Sequence, residues 1–160
     1  MLEVERKFLV GALPRDRYDP ALITQGYLHN TEDLTVRVEF VDRTRYGGKL
    51  SVNLSVKSPR TGLVREEDEF EITERLGDKL LWSARDQRIS KVWSKVAYGG
   101  REWEVDDYLD ENFGLRVAEI EFDDSKPIEL PPWVGREVTG DHRYTNANLA
   151  LRPYKSWRSR

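Results

Sequence analysis

Apolar and polar residues alternate along most of this chain, which predicts β-strands over most of its length. Residues 34–41 place Val36, Val38 and Phe40 on one face and Arg37 and Glu39 on the other. Residues 50–57 set Val52, Leu54 and Val56 against Ser51, Asn53, Ser55 and Lys57. The same reading gives strands over 2–10, 23–29, 64–72, 88–96, 101–109 and 116–123. Gly47-Gly48 and Gly99-Gly100 mark hairpin turns. Residues 14–20, 59–62, 111–114 and 127–132 read as turns or connectors. One run changes period: Leu76, Leu80 and Leu81 are helically spaced, so 74–84 is the main predicted helix, with Thr73 as N-cap and Gly77 weakening it. A second helix is expected over 141–149, behind Thr139. Eight strands and two or three helices make an antiparallel α+β domain.

The polar faces are unusual in being charged. Glu3, Glu5 and Lys7 share one face of the first strand. Arg65, Glu67, Glu69 and Glu71 share a face, as do Lys91 and Trp93, Glu104 and Asp106, and Glu119 and Glu121. The ordinary explanation is a sheet with one dry and one wet face. Yet these faces hold few of the Thr, Ser and Gln residues that usually fill a solvated sheet. Carboxylates also recur two apart in four strands, where they repel one another. A hard divalent cation, Mg²⁺ or Mn²⁺, would relieve that repulsion, because it takes oxygen ligands. If the strands closed with this face inward, carboxylates and cations would line one interior and no sheet edge would remain. Such an interior suits a compact polyanion with a metal, and a triphosphate is the natural candidate.

Composition narrows the field. A chain of 160 residues suits one domain spanning 1–160. The 17 aromatic residues (five Trp, seven Tyr, five Phe) argue for a packed core despite 34 % charged residues. The net charge of −3 offers no field to attract nucleic acid or an anionic membrane. The absence of Cys excludes disulfides, thiolate metal sites and thiol catalysis. It fits a reducing cytoplasm, which is the expected location. No apolar run approaches the ~20 residues of a membrane span, and the charged start is unlike a signal peptide. Two His residues leave little for an imidazole-based centre.

The opening E-x-E-x-K of Glu3, Glu5 and Lys7 resembles the signature of the CYTH superfamily, the triphosphate tunnel metalloenzymes. Further segments follow in the family's order: QGYL from Gln25, Arg37, SVK ending at Lys57, VREEDEFEI from Val64, Lys91, WEVDDY from Trp103, AEIEF from Ala118 and WVGREVTGDHRYTNANLAL from Trp133. The resemblance covers essentially the whole chain and is strongest to small single-domain bacterial members, which include inorganic triphosphatases. It implies an eight-stranded antiparallel β-barrel, a tunnel with a charged interior and helices packed outside. It implies metal-dependent hydrolysis of inorganic triphosphate or a related small-molecule triphosphate, and a homodimer.

Carried over by position, Glu3, Glu5, Asp106, Glu119 and Glu121 would bind Mg²⁺ or Mn²⁺. Lys7, Arg37, Lys57, Arg65 and Lys91 would bind phosphate, and Lys7 and Glu5 would carry the catalysis. Glu67 and Glu69 would complete the tunnel's acids. Tyr27, through a hydrogen bond to Lys7, and Arg143, at one tunnel end, are candidate gates; the plainer readings are a half-buried wall tyrosine and a surface ion pair. Two positions depart from the family pattern: Glu39 and Trp93 stand where arginines are usual. Arg43, Arg45 and Lys95 are the cations nearby in sequence that would compensate. The alternatives are a class IV-type adenylyl cyclase, a thiamine triphosphatase, or a polyphosphate-binding module that has lost turnover.

Overall fold

The structure, a computed structural model, describes residues 4–58, 66–122 and 126–157. Glu3 and Arg65 lie outside the described residues. The strands are β1 (Val4–Val10), β2 (Tyr18–Asn30), β3 (Thr35–Asp42), β4 (Leu50–Lys57), β5 (Glu67–Glu71), β6 (Arg88–Tyr98), β7 (Arg101–Tyr108), β8 (Arg116–Phe122) and β9 (Val134–Glu137). They form one antiparallel sheet in the order β5-β4-β3-β2-β6-β7-β8-β1-β9. The helices are α1 (Glu74–Ser83) and α2 (Asn146–Leu151).

The α+β antiparallel fold is as expected; the sheet has nine strands where eight were expected, and among the described residues it is not closed, with β5 and β9 as its edges. The ninth strand is the short β9, which pairs with β1 on the side away from β8. β5 is exposed along its length, and its run of Glu67, Asp68, Glu69 and Glu71 makes a charged edge unsuited to casual pairing. β2 starts at Tyr18, inside the region expected to turn, and passes Pro20 through a register shift between Tyr18 and Ala21.

One face of the sheet is the dry one. α1 packs across β2, β3 and β4. Its N-cap is Thr73, whose Oγ1 accepts from the Leu76 amide at 3.2 Å, as the sequence predicts. Over β1, β7 and β8 the same face buries Phe8, Trp103, Val105, Ala118 and Ile120, with Ile128 and Trp133 of the connector packed on them. Trp103 meets the rings of Phe8 and Trp133 at 5.8 and 5.7 Å.

The other face is covered at one end only. Tyr27, Ile89, Tyr108 and Val117, from four different strands, form a second core with Val138, Tyr144, Leu149 and Ala150 of the C-terminal segment. That segment is not the single helix expected over 141–149. A 3-10 turn, His142–Tyr144, is followed by Thr145, which caps α2 by accepting from the Asn148 amide. The segment thus plugs one end of the inner face and leaves the rest to charged side chains. Among the described residues no helix is long and apolar enough to cross a membrane.

Candidate active site

Strand register assembles the inner face. In β1 and β8, Glu5 lies opposite Glu121 and Lys7 opposite Glu119. In β7 and β8, Glu104 lies opposite Glu119. Trp93 faces Asp106, and Lys95 faces Glu104. Farther across, Gln25 faces Glu39 and Tyr27 faces Arg37, then Arg37 faces Ser55, and Lys57 faces Glu67. Residues far apart in sequence therefore line one surface because each strand alternates and the register holds.

Cations sit nearest the plug. Lys91 and Asp106 are only 6 % and 5 % exposed, and their Nζ–Oδ2 separation is 2.8 Å. Burial pulls the Lys91 pKa down, but Asp106, Tyr108 and Glu119 outweigh it and hold the ammonium charged. The Lys7 Nζ is 3.2 Å from Glu119 Oε1 and donates to the Tyr144 carbonyl at 3.5 Å. Arg37 is within 3.8 Å of Glu39, whose carboxylate also accepts from the Gln25 amide. Lys57 is 3.7 Å from Glu67. Glu69 lies opposite Ser55 on the exposed β5 edge.

Carboxylates gather toward the open end. Glu102, Glu104, Glu119, Glu121 and Arg101 line a cavity of about 300 Å³. Glu5, exposed at the rim, has its pKa pushed up to about 7. Partial desolvation is the main cause; Glu119, Glu121 and Glu104 add to it and Lys7 opposes them. Glu104 is raised for like reasons, by burial and then by Glu119 and Asp106, and a hydrogen bond from Trp93 counteracts them. Among the described residues no three acidic or imidazole side chains already converge at ligation spacing. The donor chemistry nonetheless fits a hard divalent cation: oxygen donors only, with carboxylates outnumbering the cations that line the cavity. Glu104 belongs to this cluster by register, although the sequence reading left it out of the ligand set; its spacing from Asp106 was the available signal.

Several buried polar atoms have no hydrogen-bond partner among the described residues: Gln25 Oε1, Arg37 Nε, Arg43 Nε, Asp106 Oδ1 and Trp103 Nε1. All but the last belong to inner-face residues. Buried polar groups are normally satisfied, so such a concentration marks a surface shaped for a polar ligand. The two candidate gates, Tyr27 and Arg143, both lie at the plugged end. Tyr27 is buried with Arg37 as its charged neighbour, whereas Lys7 is held by Glu119 and Tyr144. Arg143 makes a surface ion pair with Asp141 at 2.7 Å and stacks on Tyr144 and Trp157.

No family model matches the chain. An inorganic triphosphatase of Acetivibrio thermocellus is 38 % identical, over 98 % of this chain and 97 % of that protein. One from Nitrosomonas europaea is 32 % identical, over 94 % of this chain and 98 % of that protein. The crystal structure of an inorganic triphosphatase superposes with a TM-score of 0.75 at 28 % identity, covering 94 % of this chain and 95 % of the other. With likeness of this extent added to the motifs on its strands, the chain belongs to the CYTH superfamily of triphosphate tunnel metalloenzymes.

Proposed function

We propose that this protein hydrolyses inorganic triphosphate with the help of Mg²⁺ or Mn²⁺, releasing phosphate and pyrophosphate. The observation that carries the reading is one sheet face on which the buried Lys91 and the half-buried Arg37 and Lys7 adjoin a carboxylate cluster (Glu5, Glu104, Glu119 and Glu121). The named relatives support it. Lys91, fixed by Asp106, and Arg37, with its unpartnered Nε, would neutralise phosphoryl oxygens without reorganising. Lys7 would exchange its contact with Glu119 for one with phosphate, freeing that carboxylate. A divalent cation held among Glu5, Glu104, Glu119 and Glu121, with Glu3 of the same motif, would supply Lewis-acid charge and a more acidic water. The attacking water forms a bond to a terminal phosphorus as the bridging P–O bond breaks. Glu5, pushed up in the cation-free fold by partial desolvation and by Glu119, would give up its proton as the cation binds. In this reading the inner face is the tunnel wall.

An organic triphosphate with a stacked base is less well served. The Trp93 ring carries Arg43 and Lys95 at 5.6 and 5.5 Å, and its indole donates to Glu104. The test is phosphate release from tripolyphosphate beside ATP, with Mg²⁺ and with Mn²⁺, using Glu5→Gln as control. Metal-dependent release from tripolyphosphate, lost by at least 100-fold in the variant, is expected for loss of a group acting in acid–base or metal chemistry (on the order of 10²–10⁴). Equal release by the variant, or none from wild type, would end the reading.

A further inference from the structure

The sequence lacks two cations on the inner face, at Glu39 and Trp93, yet the structure brings two others to the same place. Arg43 follows β3 in the inner-face phase, and Lys95 is two residues beyond Trp93 on β6. Both lie over one indole ring, at 5.6 and 5.5 Å from its centre. Both also reach one carboxylate: Arg43 Nε is 3.4 Å from Asp19 Oδ1, and Lys95 Nζ is 3.5 Å from Asp19 Oδ2. The arginine contact is one of charge only, since that buried Nε has no hydrogen-bond partner among the described residues. A guanidinium so placed still has a donor to give.

The chain holds Arg43 there deliberately. Its amide donates to the Lys49 carbonyl and its own carbonyl accepts from Tyr46 and Gly48. A Cβ at residue 48 would stand 2.7 Å from the Arg43 Cβ, so glycine is needed for the turn to close on it. Lys95 is placed by its strand and by Glu102, 3.5 Å away, which Tyr18 also fixes at 2.9 Å. Four residues along β6 separate Lys95 from Lys91, about 13 Å in an extended strand. A triphosphate is shorter than that interval, so the reach of the two long lysine side chains along the strand would have to close the rest.

We propose that Arg43 and Lys95, seated on Trp93, form an outer anion subsite that binds the phosphoryl end of an inorganic chain remote from Lys7 and Lys91, and that Asp19 is the internal anion it displaces. This rests on the triphosphatase reading and adds to it a determinant of chain length. The aromatic floor excludes a base and pre-orders the two cations, and a multiply charged phosphoryl outcompetes a single carboxylate for them. Asp19 holds a left-handed backbone, φ 52°, which Asn also tolerates, so Asp19→Asn removes the competing charge without changing the turn.

The experiment is calorimetric titration of the full chain with tripolyphosphate and, separately, with pyrophosphate, both with a chelator in place of the divalent cation so that turnover does not consume the ligand. Arg43→Gln and Lys95→Met are expected to weaken tripolyphosphate about tenfold each, an effect of about 1.4 kcal/mol, and to change pyrophosphate less than twofold. Asp19→Asn is expected to tighten tripolyphosphate, a sign that general destabilisation does not produce. If wild type binds tripolyphosphate and all three variants bind it equally well, the outer subsite is wrong and the triphosphatase reading stands. Equal weakening of both ligands also overturns the subsite. If wild type binds neither ligand, both readings fall together.

Discussion

Lys91 and Asp106 concentrate the conflict between folding and function on this sheet. Each is buried, and each justifies the other: alone, either would be an uncompensated charge in the interior. Lys91→Met is therefore expected to destabilise the fold by about 3–5 kcal/mol, because it strands the Asp106 carboxylate. The double variant Lys91→Met with Asp106→Leu removes both charges and is expected to recover most of that loss. Urea denaturation of the three proteins measures it. If the double variant is as unstable as the single one, the cost comes from lost packing and the ion-pair account fails. In either case the double variant lacks the buried ammonium, so its tripolyphosphate turnover should stay far below wild type. That separation of stability from turnover distinguishes a substrate-binding lysine from one that only braces the sheet. Asp106 is assigned as a metal ligand by the family resemblance, and its spacing puts it on the same face as Glu104. The register, however, sets Asp106 opposite Trp93, and only the fold shows the diagonal contact between Asp106 and Lys91.

At the scale of elements, α1 shows where local propensity yields to packing. Gly77 is a poor helix residue and reads in the sequence as a weakness. In the fold it is buried where the helix crosses the sheet, and a Cβ there would stand 2.5 Å from Val52 Cγ1 and 3.0 Å from Phe40 Cζ. Gly77→Ala should gain about 1 kcal/mol of helix propensity and lose about 1–3 kcal/mol to overpacking. A net fall in melting temperature is expected, and a rise would show that α1 simply lifts off. Long alternating strands such as β3 and β4 were legible, because period-two patterning fixes both element and face. β9 was not: four residues including Gly135 carry no period, and only pairing with β1 makes them a strand. The first part of β2 was hidden by Pro20, which the structure accommodates at an irregularity. Alternation also says nothing about closure, which depends on strand number, stagger and the two edges. That is why a charged face was readable and a sealed barrel was not.

For the whole molecule, the gathered carboxylates tie stability to pH and to cations. Glu5 titrates at about 7 in the fold, against an ordinary value of 4.5. Its folded form thus prefers the proton, and the stability this group contributes is fully present below about pH 4.5 and lost as pH rises through about 7. Glu104 is shifted in the same direction and adds to the trend. A divalent cation among these carboxylates favours their charged forms and reverses the sign, since it binds the folded state when the protons have left. Melting curves with a chelator should therefore show stability falling between pH 5.5 and 8, beyond what Glu5→Gln shows. Curves with Mg²⁺ or Mn²⁺ should show a cation-induced rise that is small at pH 5.5 and large at pH 8. A rise that is the same at both values, or unchanged in Glu5→Gln, would place the ion elsewhere. The outcome bears on the sheet's stability as well as its chemistry. Mutual repulsion of Glu5, Glu104, Glu119 and Glu121 acts across the hydrogen-bonded strands β1, β8 and β7, so neutralising it stabilises that ladder without changing its spacing. The ion that equips the face for phosphate would then also stabilise the wall that holds it.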